Sequence, residues 1–429
     1  MTRTSSSLAL LLALAACNDS AEVLTPDTGT PDASSDVVTK DVTTTDASDA
    51  TTNDAPSEAA TDAPADVGLT CDAGLEICNN VCTDPQTYQG DNKNCGFCGH
   101  DCLGGTCSVG LCAEDTIGST LPLPSHIAVN STTVYVTTTG DIYSSTSGEV
   151  YQCPVTGCPT KLGPMTGGFE NPNGIVLDSS KVYWVNSAGI GSPDGSVMSC
   201  PLSDCGKNNA SRVTIASGLQ FVQGPSLDST NIYFDVWGAS PYLDGYLGSC
   251  PLAGCTGAPA AIITGQYRPL FSGVDGTNAF LIAPGGSAAV SYLESGPIPG
   301  PTGGTRIWTG SIQTHIAGFA LFGSQLYFTD DVQGKVEACG ETACTNPILL
   351  ASNLNGPGSI AVDTKGIYWI DGNGIETCPI TGCTSPMVLA PAPSTNYMVD
   401  LAINGSYVYW IEGDGNANAN AGLIKRVPR

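Results

Sequence analysis

Proton transfer, metal binding and nucleophilic attack each need particular side chains, and this chain offers few of them at useful spacings. Its only histidines are His100, His126 and His315, far apart in the sequence and poor material for general acid–base work. His126 is placed just ahead of a strand and His315 ahead of another. No Gly-x-Ser-x-Gly, P-loop or His-Glu-x-x-His run occurs. Asp178, Asp228, Asp275 and Asp363, with Asn130 and Asn404 in the same slot, could form a ring of ligands. Each sits in a short turn between strands, however, where a side-chain oxygen bonding its own backbone is reason enough for Asp or Asn. Asp414, Asn416, Asn418 and Asn420 alternate oxygen donors like a calcium loop. The run lacks the sixth-position Gly, and Lys425 stands where the bidentate Glu belongs. A solvated hairpin tip is expected there, with calcium the alternative and no other cofactor.

The cysteines carry more information. Nineteen cysteines beside three histidines point to an oxidising compartment and disulfides. Five pairs recur: Cys153 with Cys158, Cys200 with Cys205, Cys250 with Cys255, Cys339 with Cys344, and Cys378 with Cys383, in runs such as YQCPVTGC, GSCPLAGC and ETCPITGC. Each pair encloses four residues, usually with Pro first. This predicts a hairpin turn between two strands, its cysteines facing each other across the ladder at about 5.5 Å between Cα atoms. Eight more, Cys71, Cys78, Cys82, Cys95, Cys98, Cys102, Cys107 and Cys112, lie in a segment too short to build its own core. Four disulfides are expected there, their pairing unreadable among about a hundred connectivities. The run NCGFCGHDCLGGTCSVGLC resembles small cysteine-rich modules of secreted proteins and lipoproteins, which implies a rigid spacer. With Cys17 set aside, no free thiol is left for catalysis.

Residues 1–16 end in a Leu/Ala run too short to span a bilayer, which needs about 20 residues. The sequence Leu14-Ala15-Ala16-Cys17 resembles the bacterial lipobox, which implies cleavage before Cys17, its lipidation, and a membrane contact made through acyl chains alone. Asn18 is not the aspartate associated with inner-membrane retention, so the outer membrane is favoured. In residues 17–69, twelve acids face Lys40 alone, without an aromatic. This composition cannot offset the entropy of ordering. It predicts a disordered tether with an end-to-end distance of about 40 Å.

The remaining chain repeats itself. A strand, a short turn and an aromatic-rich strand recur seven times, as in IVLDSSKVYWV, IAVDTKGIYWID and LAINGSYVYWIE. The matching aromatics are Tyr135, Tyr183, Tyr233, Phe280, Tyr327, Tyr368 and Tyr409. A period in the forties with about four strands is one propeller blade. The last copy ends after a third strand, at GLIKRVPR, while TIGSTLPLP from Thr116 aligns with outer strands of other copies. The N-terminal strand is therefore expected to complete the last blade, removing exposed edges. Tyr327-Phe328-Thr329-Asp330 and Tyr368-Trp369-Ile370-Asp371 resemble the YWTD and NHL class of β-propellers. Seven copies depart from the six blades usual for YWTD propellers. The expected fold is all-β: a seven-bladed propeller over 114–429, six blades the alternative, behind a cysteine-rich module at 70–113.

The net charge of -26 disfavours nucleic acid as a partner. Ligands of propellers gather where loops between second and third strands meet blade-to-blade connections. Phe169, Phe221, Trp237, Tyr242, Tyr267, Arg268 and Tyr397 are bulky groups in those loops that turns do not need. They suit recognition of a protein or glycan, or they fold back to plug the channel. The expected function is a monomeric, surface-anchored, non-enzymatic binding module. A propeller hydrolase or lactonase with a channel-bound metal is the alternative, and a purely structural envelope protein a third reading.

Overall fold

The computed structural model describes residues 70–429 except 140–146, 160–162, 189–191, 204, 206–209, 240–241, 285–289, 301, 312–313 and 415–420. The signal segment, Cys17, the tether, Asn416 and Asn418 lie outside the described residues.

Seven antiparallel four-stranded sheets form a propeller. Blade three shows the plan: Val222–Leu227 inside, then Asn231–Val236, Gly245–Pro251 and Ala260–Gln266 outward. Thr302–Gly303 adds a short parallel fifth strand to its outer edge. Second strands such as Lys181–Asn186 are buried at nearly every position instead of alternating, because both faces of a blade pack against neighbouring blades. The repeated aromatics fill those interfaces: Tyr183 lies between blades two and three, Tyr233 between three and four.

The ring closes as the sequence predicts. Asp115–Leu121 pairs antiparallel with Gly422–Pro428 and completes blade seven. Arg426 grips Asp115 Oδ2 through Nε at 3.1 Å and Nη2 at 3.0 Å, and Lys425 bridges Glu114 and the buried Glu412.

All five paired-cysteine disulfides form, with Cα–Cα distances of 4.9, 5.1, 5.1, 5.0 and 5.7 Å. The expected cross-ladder hairpin holds for blade five, where Cys339 and Cys344 lie in adjacent strands joined at Gly340↔Ala343. Elsewhere the second cysteine lies beyond its strand. Cys158, Cys255 and Cys383 donate their amides to Ile117, Ile215 and Leu350, carbonyls of the preceding blade's outer strand. These staples therefore tie blade to blade.

Two compact units divide the described chain. In one, the Cys71–Cys82 disulfide brackets the hairpin Glu76–Cys78 and Val81–Thr83. The other runs from Pro85 to Arg429 and contains Cys95–Cys107 and Cys102–Cys112. Cys78 and Cys98 are oxidised too. Cys95, Cys102 and Cys112 share one core with Tyr368, Leu401 and Trp410 of the propeller, so this cysteine-rich part uses the propeller as its missing core. So many disulfides fit an exported protein.

Candidate functional site

The turn residues act as the sequence indicates. Asp178 Oδ1 accepts the amides of Ser180 and Lys181 at 2.6 Å each, and Asn130, Asp228, Asp275, Asp363 and Asn404 repeat the pattern. Tyr183 and Tyr233 donate their hydroxyls to Asp178 and Asp228 at 2.7 and 2.6 Å. Partial burial alone would raise these carboxyls, but the Tyr hydroxyl and turn amides outweigh it and hold them below their ordinary range. These acids belong to strand turns on the opposite edge of the blades from the loop face.

The histidines are likewise engaged. His100 bonds the carbonyls of Cys95 and Pro428, and His315 Nδ1 lies 2.9 Å from Asp331 Oδ1. His126 falls inside the inner strand Pro124–Val129, not ahead of it, and its Nδ1 accepts the Gly174 amide at 3.0 Å. A bulge in that strand lets it reach the next blade.

On the loop face, five of the seven bulky candidates come together between blades three and four. Phe221 and Trp237 stack with centroids 4.0 Å apart, and Tyr242 meets the indole edge-on at 6.1 Å. The Arg268 guanidinium lies 4.5 Å from the Tyr242 ring, 5.1 Å from Trp237 and 5.4 Å from Tyr267. Trp237 Nε1 and Gln223 Nε2 both donate to the Pro269 carbonyl, at 3.0 and 2.9 Å, which pins the loop carrying Tyr267 and Arg268. Phe221 and Arg268 have positive φ, as do Leu123 and Asn171 at corresponding blade junctions. The junction's left-handed residue directs the chain across the face, a feature no residue type in the sequence announces.

Phe169 and Tyr397 lie elsewhere. Phe169 is buried against Trp184 with Arg212 over its ring. Its position ends an outer strand, as do the buried Leu121 and Leu219, and that alignment was the available signal that it packs. Phe221 is buried as well. Tyr397, 50% exposed, lines a cleft of about 490 Å³ across blades five to seven with Asn355, Ser359, Asp371 and Asn396. Asp371 accepts the amides of Asn373 and Asn355 at 2.7 and 3.2 Å, so its carboxylate holds the cleft's loops.

Asp400 and Asp235 are among the buried acids that sequence reading missed. Asp400 accepts Ile127 N, Leu401 N and Ser359 Oγ at 2.9, 2.7 and 2.7 Å, joining blades six, seven and one. Asp235 is 0% exposed, and neither carboxylate oxygen has a hydrogen-bond partner. Burial pushes its carboxyl well above the ordinary range, and the nearby Ser272 hydroxyl, which lies outside good hydrogen-bond geometry, offsets only part of this. Among the described residues, the only metal-sized cluster of His, Cys, Asp or Glu is Cys95, Cys102 and Cys112, which are disulfide-bonded.

No family model matches the chain, and no curated protein does. Solved structures are similar to it. A catalytically inactive virginiamycin B lyase from Staphylococcus aureus with quinupristin has a TM-score of 0.51 at 9% identity, covering 73% of this chain and 98% of that one. A nidogen/laminin complex has a TM-score of 0.44 at 16% identity, covering 60% of this chain and 94% of that one. The computationally designed Ika8 protein has a TM-score of 0.48 at 10% identity over 73% of this chain and 98% of its own. At these identities the likeness is one of fold, a β-propeller, which here has seven blades.

Proposed function

We propose that the protein is an exported, monomeric propeller, lipid-anchored at Cys17, favouring the outer membrane, and raised on the tether of residues 17–69. Its loop face is a non-enzymatic binding surface for a protein or glycan. The observation that carries this reading is the cleft around Tyr397. It offers an exposed phenol ring and the carboxamide of Asn355, which makes no hydrogen bond among the described residues, while its acid Asp371 is occupied by backbone amides. An aromatic platform beside a two-way hydrogen-bonding amide holds a ligand without needing to move its protons.

The test is display of the full oxidised chain on glycan and protein arrays, with Tyr397→Ala and Asn355→Ala alongside and metal analysis of the same preparation. Binding that survives chelation and falls about tenfold in the variants supports the reading. Turnover of a bound ligand, or stoichiometric calcium or zinc, would replace it with the hydrolase alternative.

A further inference from the structure

The loop face holds a second group whose chemistry is incomplete. In a chain of 40 acids and 14 Lys+Arg, guanidinium groups readily find partners. Arg306 pairs with Glu294, Arg426 with Asp115 and Arg429 with Asp363, and Arg212 donates to Thr166 and Gly167. Arg268 alone among the described arginines makes no hydrogen bond or ion pair. Its Nε is buried without an acceptor, while the terminal nitrogens are not sealed in. Three rings hold it in place, and the doubly bonded Pro269 carbonyl fixes the adjoining backbone.

We propose that Arg268 is the centre of a carboxylate-binding subsite and that its ligand is a uronate-bearing sugar. A guanidinium lying among aromatic rings has already lost much of its hydration and rotamer freedom, so little further ordering is needed when a planar carboxylate meets its fork. The carboxylate supplies an acceptor to the two terminal nitrogens, which are not sealed in. The flanking Tyr242 and Tyr267, both partly exposed, give the pyranose apolar face a surface to lie on. A ligand with one or a few carboxylates suits this acidic protein better than a dense polyanion, which the net charge of -26 would repel.

The inference rests on the reading of the loop face as a binding surface, yet it concerns blades three and four, away from the Tyr397 cleft. The experiment is calorimetric titration of the full oxidised chain with trigalacturonic acid, its methyl ester, and a neutral peptide bearing a free C-terminal carboxylate. The acid is expected to bind at least about tenfold more tightly than the ester, the loss expected for hydrogen bonds to a charged group. Arg268→Gln should lose about as much, and Arg268→Lys should lie between, because an ammonium lacks the fork. Equal affinity for acid and ester, no uronate binding, or unchanged affinity in Arg268→Gln overturns the proposal. Preference for the peptide reassigns the guanidinium to a protein partner and overturns the sugar. The acid–ester comparison needs no variant, so a misfolded Arg268→Gln leaves the test intact. Failure here with array binding still dependent on Tyr397 removes this subsite and spares the broader reading.

Discussion

Trp237 in blade three donates its indole Nε1–H to the carbonyl of Pro269 at 3.0 Å, in the connection to blade four. The same carbonyl takes the Gln223 amide at 2.9 Å, which occupies both of its acceptor positions. One backbone oxygen thus locks the loop that carries Tyr267 and Arg268 to the blade that carries Trp237, and the aromatic cluster is built before any ligand arrives.

Trp237→Phe keeps a ring and removes the donor. It should cost about 1 kcal/mol of stability, read by urea denaturation, and should weaken uronate binding beyond what the stability loss explains. Unchanged stability would mean that the bond to Pro269 does not hold the loop.

Asp235 occupies a slot filled by threonine in two other blades. Thr329 donates to Gly358 at 2.8 Å, and Thr137 lies 2.9 Å from Ser125 Oγ. Asp235 makes no such bond, because the Ser272 hydroxyl donates to the Gly224 carbonyl at 3.0 Å, and a Cβ on Gly224 would collide with its carboxylate. Because its folded carboxyl is raised above the unfolded value of about 3.8, its contribution to stability is greatest below that value and declines as pH rises. Asp235→Thr should therefore be more stable than the parent at neutral pH, by about 1 kcal/mol or more, with the gap closing toward pH 4. A gap independent of pH would show that the carboxyl is not protonated in the fold.

Replacing Cys153 and Cys158 together with serine opens a staple whose cysteines are 5 residues apart. The chain-entropy model assigns such a loop about 2 kcal/mol. The Cys158 amide donates to Ile117 in the strand that closes the ring, so hydrogen exchange should quicken across Asp115–Leu121. Exchange unchanged in that strand would confine the staple's effect to blade one.

Glu341 has its carboxyl pushed up to about 7, first by partial burial and then by the negative charge of Asp275. Its contribution to stability is present below the ordinary carboxyl value of 4.5 and is lost as pH rises through about 7. A carboxyl NMR titration should show a midpoint near neutrality that falls in Asp275→Asn. A midpoint near 4.5 in the parent would remove the coupling between the two acids.

The repeat, the blade count and the closing strand were legible because each rests on a local pattern copied many times. Seven aromatics in register from Tyr135 to Tyr409 outweigh the weakness of any one copy, and the run from Thr116 aligns with the outer strands of other copies. The disulfide partners in the blades were legible for the same reason. Their geometry was not, because where Cys158 lies depends on a neighbouring blade's backbone. Phe169 and Phe221 looked like spare loop aromatics and are buried, since a bulky group next to a blade junction can turn inward or outward without any change in local sequence.

Composition, period and spacing alone therefore determined an all-β ring of seven blades, its turn acids and its five staples. These are properties of neighbours in the chain and of repetition. The site was decided only by the tertiary structure. Arg268 meets Tyr242 and Trp237 because two loops, one within blade three and one leading to blade four, converge on one edge, and Asp235 is stranded because Ser272 of blade four donates its hydroxyl to the Gly224 carbonyl at 3.0 Å. Both are consequences of long-range packing, and a one-dimensional pattern holds no record of which blade face a side chain will meet.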